Sequence, residues 1–283
     1  MEKNLSALGF MSGTSGDGVD SSVITSNGKD SIIIKYNRFD AYPSKLSNKI
    51  HRIKEKISKM QDLLKYSSNI KELEREITDF HFDIAIKISK QVNYDLIGFH
   101  GHTIYHNADE KISKQIGLGN SLSGKTNKTV VYDFRQNDIK NGGEGAPLAP
   151  IYHLALIKTL FRDSKVKTPI SILNIGGIAN ITEIDKNFKI TSRDIGPGNC
   201  LIDKWMRKNS NKSFDKDGNF AIKGKTDKFI FDQYMDNYYY SKINSRRSLD
   251  TNDFDISFEK GLSLENGATT ITDLTSEFLS KKI

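Results

Sequence analysis

The stretch FMSGTSGDGVD, Phe10 to Asp20, follows an apolar run from Ala7 to Met11 and leads into Val23 and Ile24. Between two short strands it therefore puts Gly13, Gly16 and Gly18, the hydroxyls of Ser12, Thr14 and Ser15, and two carboxylates, Asp17 and Asp20. A glycine turn between antiparallel strands points backbone N–H groups outward and so makes a nest for an anion. Glycine lets a phosphate approach the backbone closely, and the hydroxyls add donors. Two carboxylates beside an anion repel it unless a cation intervenes, which points to Mg²⁺ at Asp17 and Asp20. An ordinary Asp/Gly hairpin turn has the same composition and stays open as a reading. The order strand–turn–strand excludes a Walker loop and a dinucleotide fingerprint, both of which need a helix after the turn.

Outward from this turn, residues 7–11, 18–25 and 30–39 read as three strands. Ile50, Ile53, Ile57, Met60 and Leu63 recur at helical spacing, as do Ile70, Leu73, Ile77, Phe80, Ile84 and Ile88. Leu96 to Phe99 and Thr129 to Phe134 read as buried strands, and Pro147 to Leu160 as a helix with proline in its first turn. A second cycle then starts. SILNIGGIANITEI, Ser171 to Ile184, repeats the plan of strand, glycine turn and strand; residues 188–194 continue as a third strand and Asn199 to Arg207 as a helix. The expectation is an α/β protein with two domains of one type and a ligand cleft between them at the turns. The first domain covers 1–145. The second, 146–283, looks short and ends in a helix from Thr269 to Leu279.

The 283 residues carry 42 Lys and Arg against 35 Asp and Glu, a net charge of +7. The lysines are scattered among acids, and the densest basic stretch, Lys49 to Lys59, is the wet face of an amphipathic helix. That argues against nucleic acid as a partner. The single cysteine, Cys200, forbids an internal disulfide and suits a reducing compartment. No signal peptide and no stretch of membrane-span length is present, so the expected setting is cytoplasmic, away from any membrane.

Other motifs carry chemistry. GFHGHTIYH holds His100, His102 and His106. His100 and His102 on one strand face would suit a metal pair, but no close third ligand supports it; hydrogen bonding to substrate at the strand end is the stronger reading. DFRQNDIKNGGEGAPLAP holds Asp133, Arg135 and Asp138 ahead of a glycine loop. Arg135 is suited to clamp a carboxylate or phosphate; an internal salt bridge to Asp133 or Asp138 is the alternative. RDIGPGNCLID puts Asp194 just before a stiff Gly-Pro-Gly turn, a place for a general base or for a turn-capping carboxylate. Asn174 and Asn180 flank Gly176-Gly177, where they bind sugar hydroxyls or satisfy the turn.

Five motifs in order, Gly9 to Asp20, Gly101 to His106, Asp133 to Pro150, Leu173 to Thr182 and Asp194 to Asp203, resemble the anhydro-N-acetylmuramic acid kinases. Ser248 to Asp255 and Gly261 to Ala268 resemble them as well. These kinases belong to the superfamily of actin-like ATPases and sugar kinases. The resemblance implies duplicated ribonuclease H-like (actin-like ATPase) domains around a cleft, with ATP bound at Gly13, Thr14, Ser15, Gly16, Asp17, Gly18, Val19 and Asp20. It implies Mg²⁺, and an amino sugar whose anhydro bridge is hydrolysed while the freed oxygen is phosphorylated, giving N-acetylmuramic acid 6-phosphate. Asp194 matches the base that activates water. His100, His102, Asp133, Arg135, Asn174 and Asn180 are the candidate sugar contacts; that Arg135 receives the lactyl carboxylate is inferred from its charge alone. Family members are commonly dimeric, so a homodimer is expected.

Two small departures stand out: Gly16 where the family usually has leucine, which should loosen the turn, and His102 where it usually has glutamine. Family members also run several dozen residues further than Ile283, with a strand, a nucleotide-holding glycine loop and the last helices. The expectation is accordingly an incomplete second domain and weakened ATP binding. A catalytically impaired remnant that binds sugar or phosphate without turnover is the alternative function.

Overall fold

The computed structural model describes residues 4–13, 15–107, 109–240, 249–254 and 261–283, apart from the side chains of 239, 240 and 252. By its contacts the chain divides into two compact units, one of residues 1–170 with 184–190, the other of 171–183 with 191–283.

The first unit is built on a sheet. Strands β1 (Leu5–Ser12), β2 (Gly18–Ser26) and β3 (Ile32–Ala41) form a meander, and β4 (Leu96–Asn107) lies parallel to β1 on its other side. The order is β3-β2-β1-β4-β5, where β5 is Ile112–Ile116; β6 (Thr129–Tyr132) runs parallel to β4. Alternation sets the faces. Leu8, Phe10 and Ser12 of β1 and Val19, Ser21 and Val23 of β2 are buried on one side, while Met11 and Asp20 are exposed. Helices α1 (Ser44–Lys56) and α3 (Ser67–Ser89) send Ile50, Ile53, Ile70, Leu73, Ile77, Ile84 and Ile88 into the same core. The apolar spacing through Ile57 and Leu63 suggests one long helix, but the chain breaks after Lys56. Ser58 N–H and Lys59 N–H donate to the Asp62 carboxylate at 3.1 and 3.2 Å and start a separate short helix, α2 (Met60–Lys65). These bonds, that from Ser58 first, hold the Asp62 carboxyl below its usual range.

Helices α4 (Gly119–Thr126) and α5 (Phe134–Lys140) follow β5 and β6. Helix α6 (Pro150–Arg162), placed by sequence in a second domain starting at 146, belongs with the first unit. Ile32 N–H donates to Thr159 Oγ1 at 3.3 Å, and Arg162 pairs with Asp30, so α6 is tied to the start of β3.

The second unit has its own sheet of β7 (Ile170–Ile175), β8 (Ile178–Ile184) and β9 (Ile190–Pro197), in that order. Helices α7 (Cys200–Asn209), α8 (Lys228–Tyr240) and α9 (Leu264–Lys282) build its main core. Leu201, Trp205 and Met206 of α7 meet Ile271, Leu274 and Phe278 of α9 there, and the indole N–H of Trp205 donates to Leu264 O at 2.9 Å. Among the described residues no helix is long and apolar enough to cross a membrane.

Candidate active site

The glycine hairpin joins β1 to β2 in the first unit. Its turn is closed by Gly16 N–H donating to Gly13 O at 3.0 Å. Gly16 has φ +63°, the left-handed region that glycine enters without strain, and lies against Ile50 and His51 of α1. The sequence suggested a loosened turn here; the left-handed φ favours glycine, and a Cβ would come 3.2 Å from the His51 ring, which would have to shift slightly. Ser47 Oγ donates to Gly16 O at 2.7 Å and ties the turn to α1. Ser15 Oγ donates to Asp17 Oδ1 at 2.6 Å. Thr14, expected to bind nucleotide, lies outside the described residues.

Tyr42 holds both legs of this turn. Its backbone N–H donates to Asp17 O at 2.9 Å, and its hydroxyl is 2.8 Å from Ser12 Oγ. Burial pushes the phenol pKa up, so it stays protonated. Ser12 Oγ is also 2.7 Å from Nδ1 of His102. His102 is fully buried, and burial drives its pKa well down, so the ring is neutral. The sequence placed His102 against the sugar; the structure places it beneath the hairpin, as a partner of Ser12.

Asp17 and Asp20 are exposed at the hairpin, and Val19 is buried. The Asp20 carboxyl is raised by desolvation and by the Asp17 charge. Two carboxylates that repel each other beside a hydroxyl are a hard-oxygen donor set, which fits Mg²⁺. Among the described residues no cluster of three or more His, Cys, Asp or Glu could hold a metal, so any ion here takes its remaining ligands from elsewhere. On the other sheet face Asp20 joins Gly9, Met11, Phe39 and Tyr152 around a cavity of about 750 Å³.

Along β4, Gly101 at φ +73° interrupts the alternation on which a shared face for His100 and His102 depended. His100 turns to α5. Its Nδ1 is 3.2 Å from Gly101 O, and its Nε2 accepts from Arg135 Nε at 3.1 Å. Burial, then the Arg135 charge, lowers its pKa to about 4. His106, whose Nδ1 is 3.1 Å from Ser113 Oγ, is lowered to about 4 by the same two causes. Arg135 thus sits amid neutral histidines. Asp133, just before α5, is exposed and takes a left-handed backbone at φ +63°, unusual for a non-glycine residue. Asp138 accepts from Gly145 N–H at 2.8 Å and folds the glycine loop.

In the second unit, β9 carries Asp194. Its Oδ2 accepts from Leu249 N–H at 2.8 Å, and its side chain is half-buried. The following loop is fixed by the β7–β8 turn: Gly198 and Cys200 N–H groups donate to Gly177 O at 3.0 and 3.2 Å, and Asn199 N–H to Gly176 O at 2.8 Å. Gly198 lies so close to the Gly176 carbonyl that no Cβ fits there. Asn174 is exposed on β7 and Asn180 half-buried on β8. Leu249 to Phe254 of the Ser248–Asp255 motif is described, while Ser248 and Asp255 lie outside. Sequence reading missed Tyr42, and it took in Leu249 only as part of the Ser248–Asp255 motif, with no role of its own. Their contributions are a pendant hydroxyl and a backbone N–H, and neither leaves a pattern in sequence.

A glycine turn with hydroxyls and carboxylates, and a separate carboxylate held on a stiff loop, is the equipment of a phosphoryl-transfer enzyme. Comparison narrows the class. The family model for anhydro-N-acetylmuramic acid kinase matches residues 5–273. A protein of that name from Pelagibacter ubique is 45% identical over 287 residues, 100% of this chain and 76% of the relative. Those from Agrobacterium fabrum and Rhizobium etli are 36% and 34% identical, each over 97% of this chain and 74% and 75% of the relative. Among solved structures, the Aquifex aeolicus PPX-GPPA enzyme is similar at a TM-score of 0.34 and 11% identity, over 83% of this chain and 64% of that one. The chain belongs to the anhydro-N-acetylmuramic acid kinase family.

Proposed function

We propose that this chain uses ATP to open the anhydro bridge of 1,6-anhydro-N-acetylmuramic acid and to phosphorylate the oxygen released, on the duplicated actin-like plan expected from the sequence. The observation that carries the reading is the family match over residues 5–273, which spans both the glycine hairpin and Asp194.

Asp194 accepts a proton from water, and the water oxygen bonds to the anomeric carbon. The bond from that carbon to the bridge oxygen breaks, and its electron pair stays on oxygen. That oxygen attacks the γ-phosphorus, ADP leaves, and the product is N-acetylmuramic acid 6-phosphate. The hairpin residues Gly13 to Asp20 hold the triphosphate, and phosphoryl transfer asks mainly for such positioning. Mg²⁺ at Asp17 and Asp20 supplies charge neutralisation when bound. Arg135 receives the lactyl carboxylate, with His100, Asp133, Asn174 and Asn180 as further sugar contacts. A homodimer working in the cytoplasm belongs to the same reading.

The test is incubation with ATP, Mg²⁺ and the anhydro sugar in ¹⁸O-water, with products weighed by mass spectrometry. The expected product is a phosphosugar carrying ¹⁸O at the anomeric carbon. A phosphosugar without label, or sugar binding with no phosphosugar, overturns the reading; the second result identifies an impaired binding protein.

A further inference from the structure

Ser12, Tyr42 and His102 form a buried chain of two hydrogen bonds, 2.8 and 2.7 Å long, that meet at Ser12 Oγ. Neutral imidazole carries one N–H, and each hydroxyl carries one O–H. Three donor protons therefore serve two bonds, and one proton is left over. If His102 carried its proton on Nε2, the leftover would be a fully buried N–H, for Nε2 has no partner. A buried orphan N–H is among the rarest features of folded proteins, whereas a bare acceptor is better tolerated. His102 is thus the Nδ1–H tautomer and donates to Ser12 Oγ. The bond between the Ser12 and Tyr42 hydroxyls can run either way. Where Tyr42 donates, both lone pairs of Ser12 Oγ are filled, and the Ser12 proton is turned away from the chain. Ser12 directly precedes Gly13, so that proton lies at the first leg of the glycine turn.

We propose that Ser12 donates a hydrogen bond to a phosphate oxygen of the nucleotide, and that His102 and Tyr42 are positioning residues that fix the direction of that bond. The inference rests on the reading of the hairpin as the triphosphate site. A glutamine side chain at position 102 would offer an amide N–H in place of the Nδ1–H donor.

Two measurements test it on the whole chain. ¹⁵N-detected histidine spectra of the wild type should show His102 as the Nδ1–H tautomer; the Nε2–H tautomer overturns the proposal whatever the nucleotide does. In equilibrium binding of a non-hydrolysable ATP analogue, Ser12→Ala should weaken affinity about tenfold or more, the scale of a hydrogen bond to a charged group. His102→Leu should do the same, while His102→Gln should retain affinity. The pair Ser12→Ala with His102→Leu should lose no more than either alone. Wild-type affinity in Ser12→Ala overturns the proposal and leaves the kinase reading standing. Absence of binding by the wild type overturns both.

Discussion

Arg135 Nε donates to Nε2 of His100 at 3.1 Å, so the arginine is bound to a ring that must stay neutral to accept. A protonated His100 has no lone pair for Arg135, and the two cations would repel. His81 is in the same position for another reason. It is buried between the rings of Phe10 and Phe99, with Nδ1 2.7 Å from Ile77 O, and burial lowers its pKa to about 4.

Acid should therefore unfold this protein early. The folded pKa values of His81, His100 and His106 lie near 4, below the unfolded value of about 6.5, so below about 6.5 the unfolded state binds more protons. Stability is fully present above that pH and falls as pH drops from about 6.5 through 4. Urea midpoints measured from pH 7.5 to 4.5 should decline steeply across this window. His81→Phe should flatten the slope; a midpoint that stays level across the window would show these histidines to be exposed.

Asp194→Asn should cut turnover by about 10² or more with little change in sugar affinity, because it removes the base but keeps an oxygen for the Leu249 N–H. Steady-state kinetics with a thermal melt alongside separates lost chemistry from lost fold. Retention of the full rate would dismiss Asp194 as the base.

Asp17→Asn and Asp20→Asn should each raise the Mg²⁺ concentration that half-saturates the rate, at least one of them severalfold. Asp17→Asn should also bring the Asp20 carboxyl down toward its usual range, since Asp17 is one of the two causes that raise it. NMR titration of Asp20 reads the second effect independently of activity.

Two glycines should resist replacement for different reasons. Gly16→Ala forces a Cβ into a left-handed turn at a cost of about 1–2 kcal/mol. Gly198→Ala drives a Cβ into the Gly176 carbonyl and should cost about 2 kcal/mol or more. Denaturant unfolding measures both; a neutral Gly198→Ala would mean that the loop after β9 yields easily.

Much of the frame was legible because it is written in periodicity. The β1–β2–β3 meander, the isoleucine stripes of α1 and α3, and the strand–turn–strand at Ser171 to Ile184 all follow from where apolar side chains recur. What was hidden depends on single polar contacts. The break at Ile57 is made by one carboxylate, Asp62, inside an unbroken apolar rhythm. The parting of His100 from His102 is made by Gly101, whose positive φ has no signature beyond being glycine. Helix α6 joined the first unit through Thr159 and Arg162, contacts made across more than 120 positions of sequence.

The carbonyls of Gly176 and Gly177 already take the N–H groups of Gly198, Asn199 and Cys200. The second glycine turn and the head of α7 thus spend their polar groups on each other. Alike as the two turns look in sequence, the second is anchored through its carbonyls to the start of the helix that follows, so a change in the turn should be felt at the head of α7.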